Sequence, residues 1–396
     1  MDRTVVITFL GVRPKLTQYK LQDKIGEGEV FAKALHQLIR FDQMLVCATE
    51  QAHNECWHVV EELQDERILE IHIPEGRNPE EMWQIFERIL SYVKEDDEVI
   101  FDITHGLRSL PFLVFLFAAY LQFARQAKIK AIYYGALELK DSGIAPVLEL
   151  TDFVAMLDWL VATDQFIQTG NAQRLANLIN SGRNRELSKA AEKLIEVSQA
   201  ALWCQPFKLM KSAKTLNMDV NIGGKQSEQR TIPFSILQER VVSTYSQFAA
   251  KPSNLEEAVK KEYQMILWYL EKSQIVQAVT LAREWLIDVI TWKLGYPWSL
   301  ETTDRKIMER GISGLARLGR ADQSEEQVNP NEVARKLQGW PEKGDLCKFW
   351  DTLSSVRNSF DHAEHQKDSM KLKTIRKNIN EIQKQLQALA ALWKIT

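Results

Sequence analysis

The feature that most constrains this chain is a change of hydrophobic period near residue 151. Before it, short β-branched apolar runs alternate with stretches of helical spacing; after it, helical spacing dominates. Thr4–Leu10, Gln43–Ala48, Ile68–Ile73, Glu98–Ile103 and Ile129–Tyr134 read as strands, and Pro146–Leu150 as a sixth. Val30–Arg40, Ala52–Gln64, Glu80–Lys94 and the greasy run Leu110–Ala124 read as the intervening helices, with Asn78 and Pro79 as cap and first helical position of the third. Alternation of this kind predicts a mostly parallel sheet of about six strands covered on both faces, the doubly wound, Rossmann-like α/β class. The remainder is expected to be all-α. Helices are predicted over 153–168, 172–180, 187–214, 255–272, 275–294, 345–362 and 368–393, with NIGG at 221–224 as a turn.

A length of 396 residues matches two or three domains at roughly 100–200 residues each. The expected division is 1–150, a helical connector over 151–250, and 251–396. Charge divides the same way. Residues 151–396 hold 34 Lys and Arg against 29 Asp and Glu, a net of +5, which leaves 1–150 at −8 within the total of −3. The basic half permits an anionic partner; the modest totals argue against a protein that coats duplex nucleic acid nonspecifically. Nine of the 11 tryptophans lie after residue 151, and most are read as core or helix-packing residues rather than base-stacking platforms. Cys47, Cys56, Cys204 and Cys347 form no CxxC pair, so neither a disulfide scaffold nor a zinc ribbon is expected and a reducing cytoplasm is the natural setting. The opening MDRTVVITFLG has no basic leader ahead of a long apolar run, so no signal peptide is expected. Leu110–Ala124 is shorter than the ~20 residues of a membrane span.

Two short segments carry candidate chemistry. Ligands in open parallel sheets sit outside the carboxyl ends of the strands. Two such ends stand out: Thr8-Phe9-Leu10-Gly11, and Asp102-Ile103-Thr104-His105-Gly106-Leu107-Arg108-Ser109 just before a helix. Hydroxyls, an imidazole, a guanidinium and free N–H groups at a helix N-terminus suit an anion, phosphate above all. The glycine fingerprint of dinucleotide binding and the P-loop are both missing. The same turn could simply cap a buried helix. His36, His53, His58 and His72 are scattered singly and read as structural or surface residues, and no metal ligand set is expected.

The second segment is SVRNSFDHAEH, which places Arg357, Asn358, Asp361 and His362 within six positions. Imidazole suits proton transfer near neutral pH, and guanidinium suits a phosphate gaining charge in a transition state. On one helix, five positions give about 7.5 Å of rise and about 140° of rotation, so Arg357 and His362 diverge. Two crossing helices from two chains could present both to one phosphodiester. Read alone, Arg357 and Asp361 could equally form a surface i,i+4 pair.

Taken together, the segments resemble a known arrangement. The N-terminal half, with Leu10-Gly11 and DITHGLRS, resembles the CARF sensor domain of CRISPR-associated proteins. The helical end, with Arg357-Asn358 and His362 spaced R-x4-H, resembles a HEPN ribonuclease domain. The order matches the CARF–HEPN accessory ribonucleases of type III CRISPR systems. That resemblance implies a homodimer, or a higher homo-oligomer, activated by cyclic oligoadenylate in antiviral defence. Cyclic tetra-adenylate is expected in preference to hexa-adenylate. It further implies ligand contacts from Thr8, Leu10, Gly11, Thr104, His105, Gly106, Leu107, Arg108 and Ser109. The implied reaction is metal-independent cleavage of single-stranded RNA by its own 2′-OH, leaving a 2′,3′-cyclic phosphate and a 5′-OH. His362 is the implied acid/base, Arg357 the charge stabiliser and Asn358 an orienting group; Arg283 and Glu284 are possible supporting residues. No cofactor and no membrane are expected. A non-catalytic cyclic-nucleotide-sensing regulator that binds RNA or a protein partner is the alternative.

Overall fold

The structure is a computed structural model that describes residues 3–105, 110–180, 185–220, 232–297, 302–319, 328–361 and 370–395. The chain divides into two compact units, Met1–Asp158 and Trp159–Thr396.

The first unit is a mostly parallel sheet with helices on both faces. Its elements run β1 (Thr4–Phe9), β2 (Thr17–Leu21), β3 (Lys24–Gly28), α1 (Phe31–Leu38), β4 (Gln43–Ala48), α2 (Glu50–Glu61), β5 (Ile68–His72), α3 (Pro79–Tyr92), β6 (Glu98–Asp102), α4 (Leu110–Ala124), β7 (Lys128–Gly135) and β8 (Ile144–Glu149). Strand order is β3-β2-β8-β7-β6-β1-β4-β5. β1 shows why the class was legible: all six of its residues are buried. Val5, Ile7 and Phe9 join the core under α3 and α4, while Val6 and the following Leu10 join the core under α1 and α2. A strand covered on both faces reads as an unbroken apolar run. Asn78 caps α3 as expected, accepting a hydrogen bond from the Glu81 amide, with Pro79 in the first turn.

The sheet has eight strands, two more than the predicted six. β2 and β3 form an antiparallel hairpin at the far edge, closed by Gln22 in the left-handed region at φ 55° and by Asp23. Their sequences, TQYKL and KIGEG, are polar because an edge hairpin buries little; in β2 only Thr17, Tyr19 and Leu21 turn inward. Five residues of weak alternation carry no strand signal above a charged loop.

The second unit is all helical among the described residues. α5 (Thr151–Thr169) crosses the division between the units and is followed by α6 (Gln173–Ile179), α7 (Arg185–Leu202), α8 (Pro206–Val220), α9 (Ile232–Ser246), α10 (Leu255–Glu271), α11 (Ile275–Lys293), α12 (Thr302–Leu318), α13 (Glu332–Gln338), α14 (Lys343–Asp361) and α15 (Leu372–Leu392). The helix expected over 187–214 is two helices. Pro206 lacks the N–H a helix interior needs, and Cys204 at φ 55° turns the chain between them. The NIGG turn lies outside the described residues. One core runs through this unit. At its centre Trp285 of α11 is fully buried, donates Nε1–H to the Val259 carbonyl of α10 at 3.0 Å, and packs against Phe349 of α14. Trp159, Trp268, Trp350 and Trp393 are also buried, whereas Trp203, at the end of α7, is 61% exposed and departs from the core reading.

Gly170, just past α5, is a second anchor. Its φ of 74° is cheap only for glycine, and its carbonyl accepts hydrogen bonds from Ser198 Oγ at 2.7 Å and Tyr245 Oη at 2.5 Å. A Cβ there would lie 2.6 Å from Trp268 and 2.7 Å from the Tyr245 hydroxyl. Gly170→Ala is expected to destabilise the helical unit by roughly 1–3 kcal/mol through overpacking, more with the backbone strain. Denaturant unfolding followed by near-UV circular dichroism measures it; an unchanged midpoint would contradict this packing.

Candidate functional site

The order of strands places the ligand crevice. After the β2–β3 hairpin at the far edge, the chain lays β4 and β5 on one side of β1, then returns to the other side of β1 for β6 and β7. The reversal between β1 and β6 leaves an opening outside their carboxyl ends, the usual ligand position in such sheets. Both segments singled out in the sequence meet there. Gly11, after β1, lies against His105, after β6: a Cβ on Gly11 would sit 3.2 Å from His105 Cβ.

Beneath this contact is a buried hydrogen-bond knot. Thr8 and Asp102 are 1% and 0% exposed. Thr8 Oγ1 donates to Asp102 Oδ2 at 2.5 Å, and the Thr104 amide donates to Asp102 Oδ1 at 2.7 Å. The Thr104 hydroxyl accepts from the Gly135 amide of β7 at 2.7 Å. Thr8 therefore spends its hydroxyl on Asp102 rather than on the crevice. Leu10, 5% exposed, belongs to the core under α1 and α2. Gly11, Thr104 and His105 are the expected residues that reach partial exposure. Gly106, Leu107, Arg108 and Ser109 lie outside the described residues.

Burial sets the protonation of this knot. It pushes the Asp102 carboxyl up to about 6, against the hydrogen bonds from Thr104 and Thr8 that favour its charged form. It also pulls the His105 imidazole below its ordinary value, so the ring is neutral at pH 7. His105 Nε2 is buried with no hydrogen-bond partner among the described residues. A neutral ring offers one N–H and one acceptor, which suits a nucleotide's polar edge as well as a phosphate. Two residues escaped the sequence reading. Tyr19 of β2 is buried beside Asp102; burial first, and that carboxylate second, push its hydroxyl up to about 12. Gly135 allows this approach, since a Cβ there would lie 2.8 Å from Tyr19 and 3.0 Å from Thr104. Neither sits in a motif; only the sheet brings them to Asp102.

A separate cavity of about 530 Å³ lies between α3 and α4, lined by Met82, Trp83, Phe86, Leu116, Phe117 and Tyr120. Its apolar wall does not fit a polyanion. Phe112, Leu116 and Tyr120 follow each other at four-residue spacing along the exposed side of α4.

In the helical unit, α14 buries Leu346, Phe349, Trp350, Leu353 and Val356 and turns Asn358 outward. Arg357 is 39% exposed, and its Nε lies 3.2 Å from Asp361 Oδ2. The surface pair anticipated from the spacing is present. Exposed i,i+4 pairs stabilise a helix by only about 0.3–0.5 kcal/mol, so Arg357 is cheaply released to a stronger anion. His362 and His365 lie outside the described residues.

Arg283 and Glu284 point into a different network. Arg283 pairs with Glu284 at 2.9 Å and with Glu309, and its guanidinium lies 4.9 Å from the ring centre of Trp350. Arg305 bridges Glu284 and Asp288, each at 2.6 Å. Deeper still, Glu262 is 1% exposed, and neither carboxylate oxygen accepts a hydrogen bond. Burial drives its carboxyl well above the usual range, and the Asp288 charge adds to this. Protonated, it can donate to Asp288. Burial likewise raises Asp288 to about 6, against the pull of Arg305. Groups whose folded values are raised contribute stability below their unfolded values and lose it as pH rises through the folded ones. Glu262→Gln is therefore expected to melt higher than the native chain at about pH 8, with the advantage growing as pH rises above the ordinary glutamate value and vanishing near pH 4. Thermal melts across that range test it; a variant less stable at the alkaline end would contradict a protonated Glu262.

The chain is a doubly wound sheet whose switch point carries polar groups, followed by a helical unit. Comparison with known proteins makes this specific. Residues 5–138 match the family described as CRISPR system endoribonuclease Csx1, CARF domain, and residues 155–251 match the second domain of CRISPR-associated protein MJ1674. CRISPR-associated protein MJ1674 of Methanocaldococcus jannaschii is 30% identical over 128 residues, 31% of this chain and 20% of that protein. The chain thus spans about a fifth of the length of that curated relative. The structure of Enterococcus italicus Csm6 bound to cyclic hexa-2′-fluoro-hexa-dAMP aligns over 100% of this chain and 95% of that one, at 10% identity and a TM-score of 0.44. Over residues 5–138 and 155–251 the chain is thus similar to domains of CARF-containing CRISPR-associated proteins. Among the described residues no helix is long and apolar enough to cross a membrane.

Proposed function

We propose that this protein senses cyclic oligoadenylate in type III CRISPR defence and answers by cutting single-stranded RNA. The observation that carries the reading is the match of residues 5–138 to the CARF domain of an endoribonuclease, with Gly11 and His105 meeting at the switch point of that domain. In this reading residues 1–150 form the sensor, 151–250 a connector and 251–396 a HEPN nuclease. Gly11, Thr104 and His105 line the floor of the ligand crevice, and Gly106, Leu107, Arg108 and Ser109 face the ring phosphates. Thr8 and Leu10 support that floor from beneath, Thr8 through Asp102. Cyclic tetra-adenylate is the preferred activator on family resemblance.

At the other end, an RNA phosphate displaces Asp361 from Arg357, exchanging a weak exposed pair for an anion that gains charge during reaction. The adjacent 2′-OH attacks phosphorus, the P–O5′ bond breaks, and the products are a 2′,3′-cyclic phosphate and a 5′-OH. His362 moves the proton, Arg357 balances the equatorial charge and Asn358, exposed beside it, orients the phosphate. In this reading a complete site draws on two copies, since five positions of an ideal helix would turn Arg357 and His362 apart, and the exposed apolar row on α4 supports a homodimer.

Incubating the full chain with labelled single-stranded RNA, EDTA and cyclic oligoadenylates of several ring sizes tests this. Cleavage is expected only with messenger. Arg357→Ala and His362→Ala are each expected to lower it by about a hundredfold or more while messenger binding persists. Undiminished cutting in both would move the active site elsewhere. His105→Ala or Arg108→Ala is expected to weaken messenger binding and activation together; full activation in both variants would displace the sensor pocket.

A further inference from the structure

The sequence reading leaves His53 and His72 as unrelated histidines. The fold brings them to one carboxylate. Glu70 and His72 are two apart on β5, so they share one face of the strand, the face covered by α2, which carries His53. His53 Nδ1 lies 2.6 Å from Glu70 Oε1, and His72 Nε2 lies 3.5 Å from Glu70 Oε2. One donor atom from each residue falls within 4.8 Å of the others, and among the described residues no other set of three or more His, Cys, Asp or Glu side chains converges in this way.

We propose that His53, Glu70 and His72 form a binding site for a divalent transition metal of the zinc class on the edge strand of the sensor sheet. Two imidazoles and one carboxylate are the ligand set of open zinc sites, with the fourth position left to water. Bonds of about 2.0–2.1 Å in a tetrahedral shell put neighbouring donors about 3.3 Å apart. The Glu70–His72 spacing already meets this. The Glu70–His53 spacing widens by less than about 1 Å as the ion replaces the proton between them. The nitrogen-rich set excludes calcium and magnesium, which take oxygen ligands.

The surroundings fix the ligands. His53 stacks on Trp57, with 17° between ring planes, and the His72 carbonyl accepts a hydrogen bond from Arg88. Glu70 is mostly covered, whereas the His72 side chain is 63% exposed, leaving an entry path for the ion. The site is independent of the crevice: β4 separates β5 from β1, a distance of about 10 Å across the sheet. It is also independent of any nuclease activity. A bound ion would pin the unprotected edge strand to α2, since a ligand held only by the folded state stabilises it.

Zinc chloride titrated calorimetrically into the chelator-stripped full chain tests the site, with cobalt absorption reporting tetrahedral coordination. One ion per chain is expected at micromolar concentration. His72→Gln, an exposed change that leaves the fold intact, is expected to weaken binding more than about tenfold, the lower end of what outer-shell changes alone cause. The double variant H53A/H72A is expected to abolish it. Zinc is expected to raise the melting temperature of the native chain and not that of the double variant. Absence of uptake at equimolar zinc would overturn the proposal, as would uptake unchanged in H53A/H72A, which would put the ion on other histidines.

Discussion

The N-terminal unit is organised around one buried carboxylate. Asp102 ends β6 at the point where strand order reverses, with no solvent contact and no cation beside it among the described residues. Its oxygens are satisfied by a neighbouring strand's hydroxyl and by the amide two residues ahead, so the turn after β6 is tied to β1. An uncompensated buried carboxylate is costly, and the structure meets that cost by letting Asp102 take a proton more readily than a surface aspartate. The Thr104 hydroxyl extends the tie to β7, and Tyr19 closes it from the edge hairpin. Hydrogen bonds thereby join β1, β7 and the turn after β6 at this point, with Tyr19 of β2 packed beside them.

The helical half solves a different problem. Its core is made by tryptophans and aliphatics on long helices, and its buried charges are collected between α10, α11 and α12. Arg305 neutralises part of the acidic excess, and burial favours the protonated form of Glu262. Arg283 and Glu284 belong to this internal set, while Arg357 and Asn358 stand at the outer end of α14. The interior fixes the helix, and the weak Asp361 pair leaves the guanidinium available.

Much of this was legible without coordinates. Strands buried on both faces, such as β1, announce themselves as apolar runs, and α3 was marked at both cap and first turn by Asn78 and Pro79. The β2–β3 hairpin was invisible because an edge strand needs only Thr17, Tyr19 and Leu21 to face inward. The break between α7 and α8 was signalled by Pro206, but helical spacing on both sides masked it.

Sequence alone determined the alternation of buried strands and helices in the first 150 residues, the class of sheet and the two polar segments, and it offered the surface pairing of Arg357 with Asp361. These depend on local periodicity and on contacts within a few residues, which the chain carries in its own spacing. Tertiary structure alone decided that Thr8 faces Asp102 and not the crevice, that Tyr19 and Gly135 complete that knot, and that His53, Glu70 and His72 converge. Each of these joins residues from different strands or helices, and their meeting follows from register and from which face of the sheet a helix covers. Those quantities are set by the packing of the whole domain, and no window of the sequence contains them.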